Sequence, residues 1–458
     1  MSLKAPLIDY FSSLLGPEEA EQFFRTIEEK PMGPRSIRVN TLKISKAALR
    51  KWFESQGYEV KDSPYSSDGL ELTGSGQEWA LKLPYHAGFT YPQDAASMFA
   101  VEVLNPQPGE RALDLTAAPG GKSTHIAQRL GNNGTLIAND MDTHRIKALK
   151  SNLSRLGIVN TYVTRLNAMK LAEHYPETFD RILLDPSCSG EGLFVTKEGQ
   201  PNYWNKKAVK HFAGLQFGLL RQAFQMLKPG GRLLYSTCAL NEIENDGVVE
   251  DFLAKTPEAQ IDEHALNELR VRGIEVPGQL AGLKGIRFWP QKTGTKGFFC
   301  IALTKTRSQD LAAPSSKFSL KVLNENERLI YDAFLEERFG ASAKAYDWVP
   351  FEHHLYLASK DLKKLATPPG FALTLPALKT YEGDEMKPSH EGVLFFASDA
   401  KRNTVELSKE QVEKAFKNEP VHFEGLEEGM YFAHYLQFPL GLLKIGKQRT
   451  ELLIPKMA

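Results

Sequence analysis

Between residues 111 and 305, short apolar runs rich in β-branched residues alternate with stretches of helical periodicity. RALDL (111–115), TLIAN (135–139), TYVTRL (161–166), RILLD (181–185) and RLLYS (232–236) predict strands, and GFFCIALTK (297–305) predicts a last one. Residues 121–130, 143–156 and 207–227 carry apolar positions at the spacing of an amphipathic helix. Strand–helix–strand repeats at this interval predict an α/β fold, a doubly wound, Rossmann-like sheet with helices on both faces. Ligands of such sheets gather at the carboxyl ends of the strands, so residues there carry the chemistry.

The flanks differ in texture. Turn-rich GSGQEW and LPYHAG precede the sheet pattern, TRSQDLAAPSSKF follows it, and YEGDEMKPSHEG (381–392) divides the remainder. Four units result: 1–90, 91–306, 319–380 and 386–458. The 458 residues suffice for several cores. The 56 basic and 56 acidic side chains cancel, which excludes a histone-like or tail-driven nucleic-acid binder but not an enzyme with a local basic face. Net charge is −1 for residues 1–90, +3 for 91–306 and −2 for 307–458. Three cysteines cannot build a disulfide framework. The start, MSLKAPLIDYFSSLL, lacks the uninterrupted apolar region of a signal peptide. The longest uncharged stretches, Leu365–Leu378 and Met430–Leu443, fall short of the ~20 residues of a membrane span. The expectation is a cytoplasmic, monomeric protein without a membrane segment.

The first strand runs into LDLTAAPGGKSTH (113–125). Asp114 lies near the strand's end. The small residues Ala117, Ala118, Gly120 and Gly121 let backbone approach a ligand, and the helix that follows offers free N–H donors. A phosphate-binding loop would need glycine where Thr116 stands, and the dinucleotide fingerprint is also absent. The remaining fit is a cofactor with an adenosine and an amino-acid end, S-adenosylmethionine. Asp140, roughly 20 residues on at the end of the second strand, is positioned to accept from ribose hydroxyls. Arg145 either supports this site or forms a surface ion pair.

Asp185-Pro186-Ser187-Cys188-Ser189-Gly190 ends the fourth strand, and Ser236-Thr237-Cys238 ends the next. Two thiols at adjacent strand ends should face one cleft, with Asp185 between them and the cofactor. No further Cys or His is spaced to complete a zinc site, so no metal is expected. Cys300, among Phe298, Phe299 and Ile301, reads as core. A methyl donor with two thiols suggests methylation at carbon 5 of a pyrimidine. One thiolate adds to carbon 6 to activate the ring, and the second thiol, or water near it, removes the carbon 5 proton so that the first thiol leaves. Asp185 can bond the ring nitrogen or exocyclic amine. Because the acid at 185 also follows an apolar run, as in a nucleotide hydrolase, a phosphate-loop-like NTPase stays as an alternative. A non-catalytic RNA-binding assembly factor is another.

The chain resembles the Nol/Nop/Sun family of RNA (cytosine-5) methyltransferases over roughly residues 35–305. RVNTLK (38–43), YPQDAAS (91–97), AAPGGK (117–122), DPSCSGEG (185–192) and STC followed by ENDGVVEDFL carry the resemblance. It implies that Thr116, Ala117, Ala118, Pro119, Gly120, Gly121, Lys122, Asp140, Asn167 and Asp185 line the cofactor pocket. It also implies that Cys238 is the nucleophile and that Cys188 assists release. Ser187 stands where the family usually has proline directly before the first cysteine, and Asn167 where it commonly has Asp. The flanks resemble the bacterial RsmF-type branch, which modifies 16S rRNA of the small ribosomal subunit near the decoding site; transfer RNA is the other substrate considered. The branch implies a small α+β N-terminal RNA-binding domain, a small α+β module and a PUA-like β module in the tail. GVLFFAS (392–398) and 437–455 are then expected as strands of the PUA-like module, with Lys444, Lys447 and Arg449 at phosphate. Tyr203, Trp204, Lys206, Lys207 and Lys210 mix aromatics with bases, which suits an unpaired nucleotide or an ordinary hydrophobic anchor.

Overall fold

The computed structural model describes residues 3–454 except 30–33, 197–198, 200, 202–203, 278–284, 313–318, 382–385, 418 and 448–449. Its centre is an eight-stranded sheet. Seven strands lie in the order Ala259–Ile261, Phe298–Lys305, Leu227–Thr237, Phe179–Leu184, Arg111–Asp114, Thr135–Asn139 and Thr161–Thr164, and Ile286–Phe288 pairs with Phe298–Lys305. The five strands from Leu227–Thr237 to Thr161–Thr164 run parallel. Phe298–Lys305 returns antiparallel beside Leu227–Thr237. Chain order reverses at Arg111–Asp114, the switch point where doubly wound sheets open a crevice. Val, Ile and Leu fill these strands because helices cover both faces, and most of their residues are fully buried.

The N-terminal unit divides physically. Helices Ala5–Leu15 and Pro17–Glu29 turn Leu7, Phe11, Phe23 and Ile27 onto Phe194, Trp204, Leu240 and Trp289 of the core. A four-stranded antiparallel sheet, Glu59–Asp62, Gly69–Thr73, Arg35–Val39 and Thr90–Pro92, sits instead near the first glycine loop. A third sheet, Tyr346–Phe351, His354–Ser359, Leu375–Thr380 and Met386–Pro388, precedes a fourth of Thr404–Glu406, Gly429–Tyr435, Phe438–Ile445 and Thr450–Leu453.

Two expectations for the tail need correction. Met386–Pro388 pairs with Leu375–Thr380, so a last module starting at 386 would take a strand from the third sheet. GVLFFAS is mainly helix, His390–Phe396, not strand. Ser389 caps it by accepting from Gly392 N, and a Cβ on Gly392 would meet the Ala377 carbonyl oxygen at 2.1 Å. Glycine thus lets the helix lie directly on the strand below, burying Val393, Leu394 and Phe396. The 437–455 segment does supply strands, Phe438–Ile445 and Thr450–Leu453. The fourth sheet shares a core with the N-terminal sheet, where the Trp52 and Phe438 rings lie 4.7 Å apart. Among the described residues no helix is long and apolar enough to cross a membrane.

Candidate active site

At the switch point the chain leaves Asp114, loops through Thr116–Gly120 and enters helix Gly121–Arg129. Gly120 has φ +107°, a conformation open to glycine, and an added Cβ would meet the Leu149 side chain at 3.0 Å. The loop is pinned from its far side. Ala117 N donates to Asn139 O at 2.8 Å, Ala118 N to Asp140 Oδ2 at 2.9 Å, and Asn152 Nδ2 to Pro119 O at 3.0 Å. Arg145 donates to the Ala118 carbonyl and lies 3.8 Å from Asp140.

The loop's near side walls a cavity of about 350 Å³. Thr116, Ala117, Ala118, Pro119, Gly121 and Lys122 line it together with Asp114, Asp185 and Cys238. Asp114 is buried; its Oδ2 accepts from Ser123 Oγ at 2.6 Å, while Oδ1 has no hydrogen-bond partner within bonding distance among the described residues. Burial pushes its carboxyl up to about 7. Lys122 Nζ donates to Asp185 Oδ2 at 2.6 Å and lies 5.2 Å from the Phe298 ring centroid. Burial opposes the Lys122 charge, but neighbouring Asp185 more than offsets this and holds the ammonium above its ordinary range. Asp185 Oδ1 accepts from Ser236 Oγ at 2.9 Å, and its N–H donates to Thr116 Oγ1 at 3.1 Å. The threonine standing where a phosphate loop has glycine thus ties the first strand's loop to the fourth strand.

Cys188 and Cys238, 50 positions apart, bring their sulfurs to 2.8 Å. Cys238 faces the cavity, whereas Cys188 is not among its lining residues. The bond to Cys238, and burial after it, raise the Cys188 thiol well above its usual range. Either sulfur can donate in this contact, and the raised Cys188 thiol favours Cys188 as the protonated partner. Two buried carboxylates fasten the loops that carry them. Glu244 accepts from Ser189 N at 3.1 Å, Gln216 Nε2 at 2.8 Å and Asn241 Nδ2 at 2.9 Å. Glu191 accepts from Trp204 Nε1 at 2.6 Å, Leu240 N at 3.1 Å and Asn241 Nδ2 at 2.8 Å. Burial, then the neighbouring Glu191, raises the Glu244 carboxyl.

Not every expected residue reaches the cavity. Asp140 and Arg145 bond the loop and are not among the residues that line the cavity. Asn167 is exposed, and its side chain caps helix Ala168–His174 by accepting from Met169 N. Trp204 is buried rather than open to a base, packing on Tyr10 and Phe11 while its N–H satisfies Glu191. Lys206 lies over the Tyr10 ring, and Lys207 and Lys210 are exposed. Tyr203 and Arg449 lie outside the described residues; Lys444 and Lys447 are exposed. Cys300 is core.

Sequence reasoning missed the opposite wall: Tyr91, Gln93, Asp94, Lys296 and Phe298. It also missed Arg38, whose buried guanidinium donates to Gln93 Oε1 at 2.7 Å, Gly121 O at 2.5 Å and Thr124 Oγ1 at 2.7 Å. Burial lowers this guanidinium to about 9. The signal was present for Arg38 and for Tyr91, Gln93 and Asp94, which belong to the motifs RVNTLK and YPQDAAS, but not for Lys296 and Phe298. Beside them Asp68, Glu102 and His125 converge within 4.8 Å. Arg129 lies 3.6 Å from Asp68, and Arg272 pairs with Glu102, so guanidinium groups already balance those carboxylates.

A doubly wound sheet with a small-residue loop at its switch point, facing a thiol at a strand end, defines a Rossmann-like methyltransferase. Solved structures share the fold. NSun6 from Pyrococcus horikoshii, solved with SFG, has a TM-score of 0.56 and 25% identity, covering 67% of this chain and 99% of that one. A methyltransferase homologue protein from the same organism has a TM-score of 0.54 and 30% identity, covering 66% and 100%. The family pattern of 16S rRNA methyltransferase RsmB/F matches residues 101–304, and that of the N-terminal domain of 16S rRNA methyltransferase RsmF matches 3–95. Ribosomal RNA small subunit methyltransferase F of Klebsiella pneumoniae (strain 342) is 32% identical over 434 residues, 92% of this chain and 89% of that protein. The protein of the same description from Shewanella amazonensis is 36% identical over 299 residues, covering 64% and 63%. The chain belongs to the ribosomal RNA small subunit methyltransferase F family. It is a methyltransferase whose methyl donor is S-adenosylmethionine.

Proposed function

We propose that this chain methylates carbon 5 of a cytosine in 16S rRNA near the decoding site, through a covalent bond between Cys238 and the base. The observation that carries this reading is that Cys238, and not Cys188, shares one cavity wall with the glycine loop and the Lys122–Asp185 pair. The relatives' description as small-subunit rRNA methyltransferases supports the substrate.

The cavity fits the cofactor. Small residues expose loop backbone on one side, and Asp114 Oδ1 is a buried acceptor without a hydrogen-bond partner among the described residues. Thr116 through Lys122 and Asp114 would hold S-adenosylmethionine, with Asp140 and Arg145 fixing the loop. When bound, the cofactor supplies an electrophilic methyl group.

The chain's own residues do the rest. Cys238, its proton given up to water, adds to carbon 6 as a thiolate, and the displaced π electrons make carbon 5 nucleophilic. Lys122 and Asp185 bond the ring nitrogen and exocyclic amine, where charge shifts as the sulfur adds. After methylation the carbon 5 proton leaves to water and the carbon 6–sulfur bond breaks. The Cys188 thiol donates to the departing Cys238 sulfur as it regains its negative charge. A neighbour that holds its own proton suits that task.

The test incubates the purified chain with 16S rRNA or small subunits and isotopically labelled S-adenosylmethionine. Digestion to nucleosides should return label in 5-methylcytidine. Label in another nucleoside, or none, would overturn the reading. Bisulfite sequencing of rRNA from a deletion strain then locates the cytosine, and a position away from the decoding site would remove that part alone.

A further inference from the structure

Away from the active site, a second cavity of about 530 Å³ opens where the third sheet meets the edge of the core. Its floor is the segment 367–373, which joins the core's edge strand: Ala372 N donates to Val163 O at 2.8 Å, and Val163 N to Ala372 O at 2.9 Å. Phe351 and Tyr356, from the hairpin of the third sheet, form one wall, and Phe371 and Pro369 form another. Lys150 and Lys321 are the charged side chains among its described lining residues, and Glu352 and Glu391 lie near Tyr356.

Three features point to a ligand. Phe351 is 60% exposed, a large ring kept in water at the cavity wall. Its partner ring, Tyr356, lies 6.4 Å away edge to face, and Phe371 is fixed by Tyr162 at 5.1 Å, so the aromatic walls are preset. Lys150 and Lys321 are both exposed and form no ion pair among the described residues.

We propose that this cavity is a subsite for one unpaired nucleotide of the RNA substrate, its base against the Phe351 and Phe371 side and its phosphates at Lys150 and Lys321. Aromatic faces accept any base, and free lysines beside them complement a phosphate backbone. The volume suits a small ligand of nucleotide size. Lys150 lies on helix Thr143–Arg155, about 1.4 turns from Arg145, which donates to the Ala118 carbonyl of the cofactor loop. This inference rests on the RNA-methylating reading above.

The full chain is tested with a short labelled oligouridylate by fluorescence anisotropy across a salt series. Phe351→Ala removes an exposed ring and should weaken binding by about fivefold or more, the lower end for losing one stacked base. Lys150→Gln with Lys321→Gln should flatten the dependence of log affinity on log salt by about 1.4, two single-strand phosphate contacts. S-adenosylhomocysteine affinity, measured by calorimetry, should be unchanged in all variants. Unaltered oligonucleotide affinity and salt slope, from a wild type that methylates rRNA, would overturn the subsite alone. A wild type that transfers no methyl to rRNA would overturn the reading beneath it. Loss of self-association in Phe351→Ala, with RNA affinity intact, would assign the cavity to a second copy and reject the nucleotide.

Discussion

The Glu244 carboxylate accepts the backbone N–H of Ser189 at 3.1 Å, tying the residue after Cys188 to the loop that follows Cys238. Gln216 and Asn241 donate to the same carboxylate, so one buried anion gathers donors from three segments. The 2.8 Å contact between the sulfurs is set by this clamp as much as by the sheet. Glu244→Gln turns an acceptor into an N–H group facing other N–H groups, each unpaired buried group costing about 1–3 kcal/mol. Turnover should fall by about tenfold or more with KM little changed, because Glu244 touches neither base nor cofactor. Steady-state kinetics on rRNA check this; a raised KM with normal kcat would count against it.

Asp114 gives the fold a pH dependence of known sign. Its carboxyl is raised from 3.8 to about 7 by burial, so the folded chain binds this proton more tightly than the unfolded chain. The group costs nothing below about pH 4, and its penalty grows as pH rises to about 7. A difference of one pKa unit is worth about 1.4 kcal/mol, so the full penalty is on the order of 4 kcal/mol. Asp114→Asn should remove it. Urea unfolding of both proteins from about pH 4 to about pH 8 should show the variant gaining on the wild type as pH rises. Parallel curves would rule out Asp114 as the source.

The core was legible because its strands are short apolar runs closed by turn residues. Its switch point was legible because Asp114 is followed by a row of small residues. The convergence of Cys188 and Cys238 followed from both lying just past the ends of neighbouring parallel strands. What escaped depends on contacts that no local pattern carries. Arg38 reaches Gly121 across 83 positions. Trp204 beside lysines has the composition of a nucleotide platform, yet Glu191 and the N-terminal helices turn it inward. The run at 392–398 is too short for its period to separate strand from helix, and the close approach that Gly392 permits decides it.

The tail is not a detachable module. Leu407, Val412, Ala433 and Phe438 share a core with Leu49, Trp52 and Phe89 of the N-terminal unit. Lys43 Nζ, buried, donates to Ala87 O, Arg155 O and Leu394 O, joining three parts of the chain. Cutting after residue 385 removes the strand Met386–Pro388 and bares that core. The truncated protein should therefore lose stability throughout; at about 1 kcal/mol per degree for a chain this long, a loss on the order of 2–4 kcal/mol lowers the melting temperature by about 2–4 degrees. A truncated protein that melts as the full chain does, and differs only in KM for rRNA, would show the tail to be separable after all.

The two thiols make the sharpest test of the proposed chemistry. Cys238 faces the cavity, and Cys188, its thiol raised, lies against the Cys238 sulfur without lining the cavity. If Cys238 attacks carbon 6, Cys238→Ala cannot activate the ring and should form no covalent complex and no product. Cys188→Ala leaves the attacking sulfur in place but removes the group that supports its departure. The base should be methylated yet held, so the protein migrates slowly with its RNA on a denaturing gel. Release with water in that place would make the trap partial rather than absent. A merely destabilised variant cannot mimic the result, since it would form less adduct, not more. Accumulation of adduct by Cys238→Ala and not by Cys188→Ala would reverse the two roles and leave the reaction class standing.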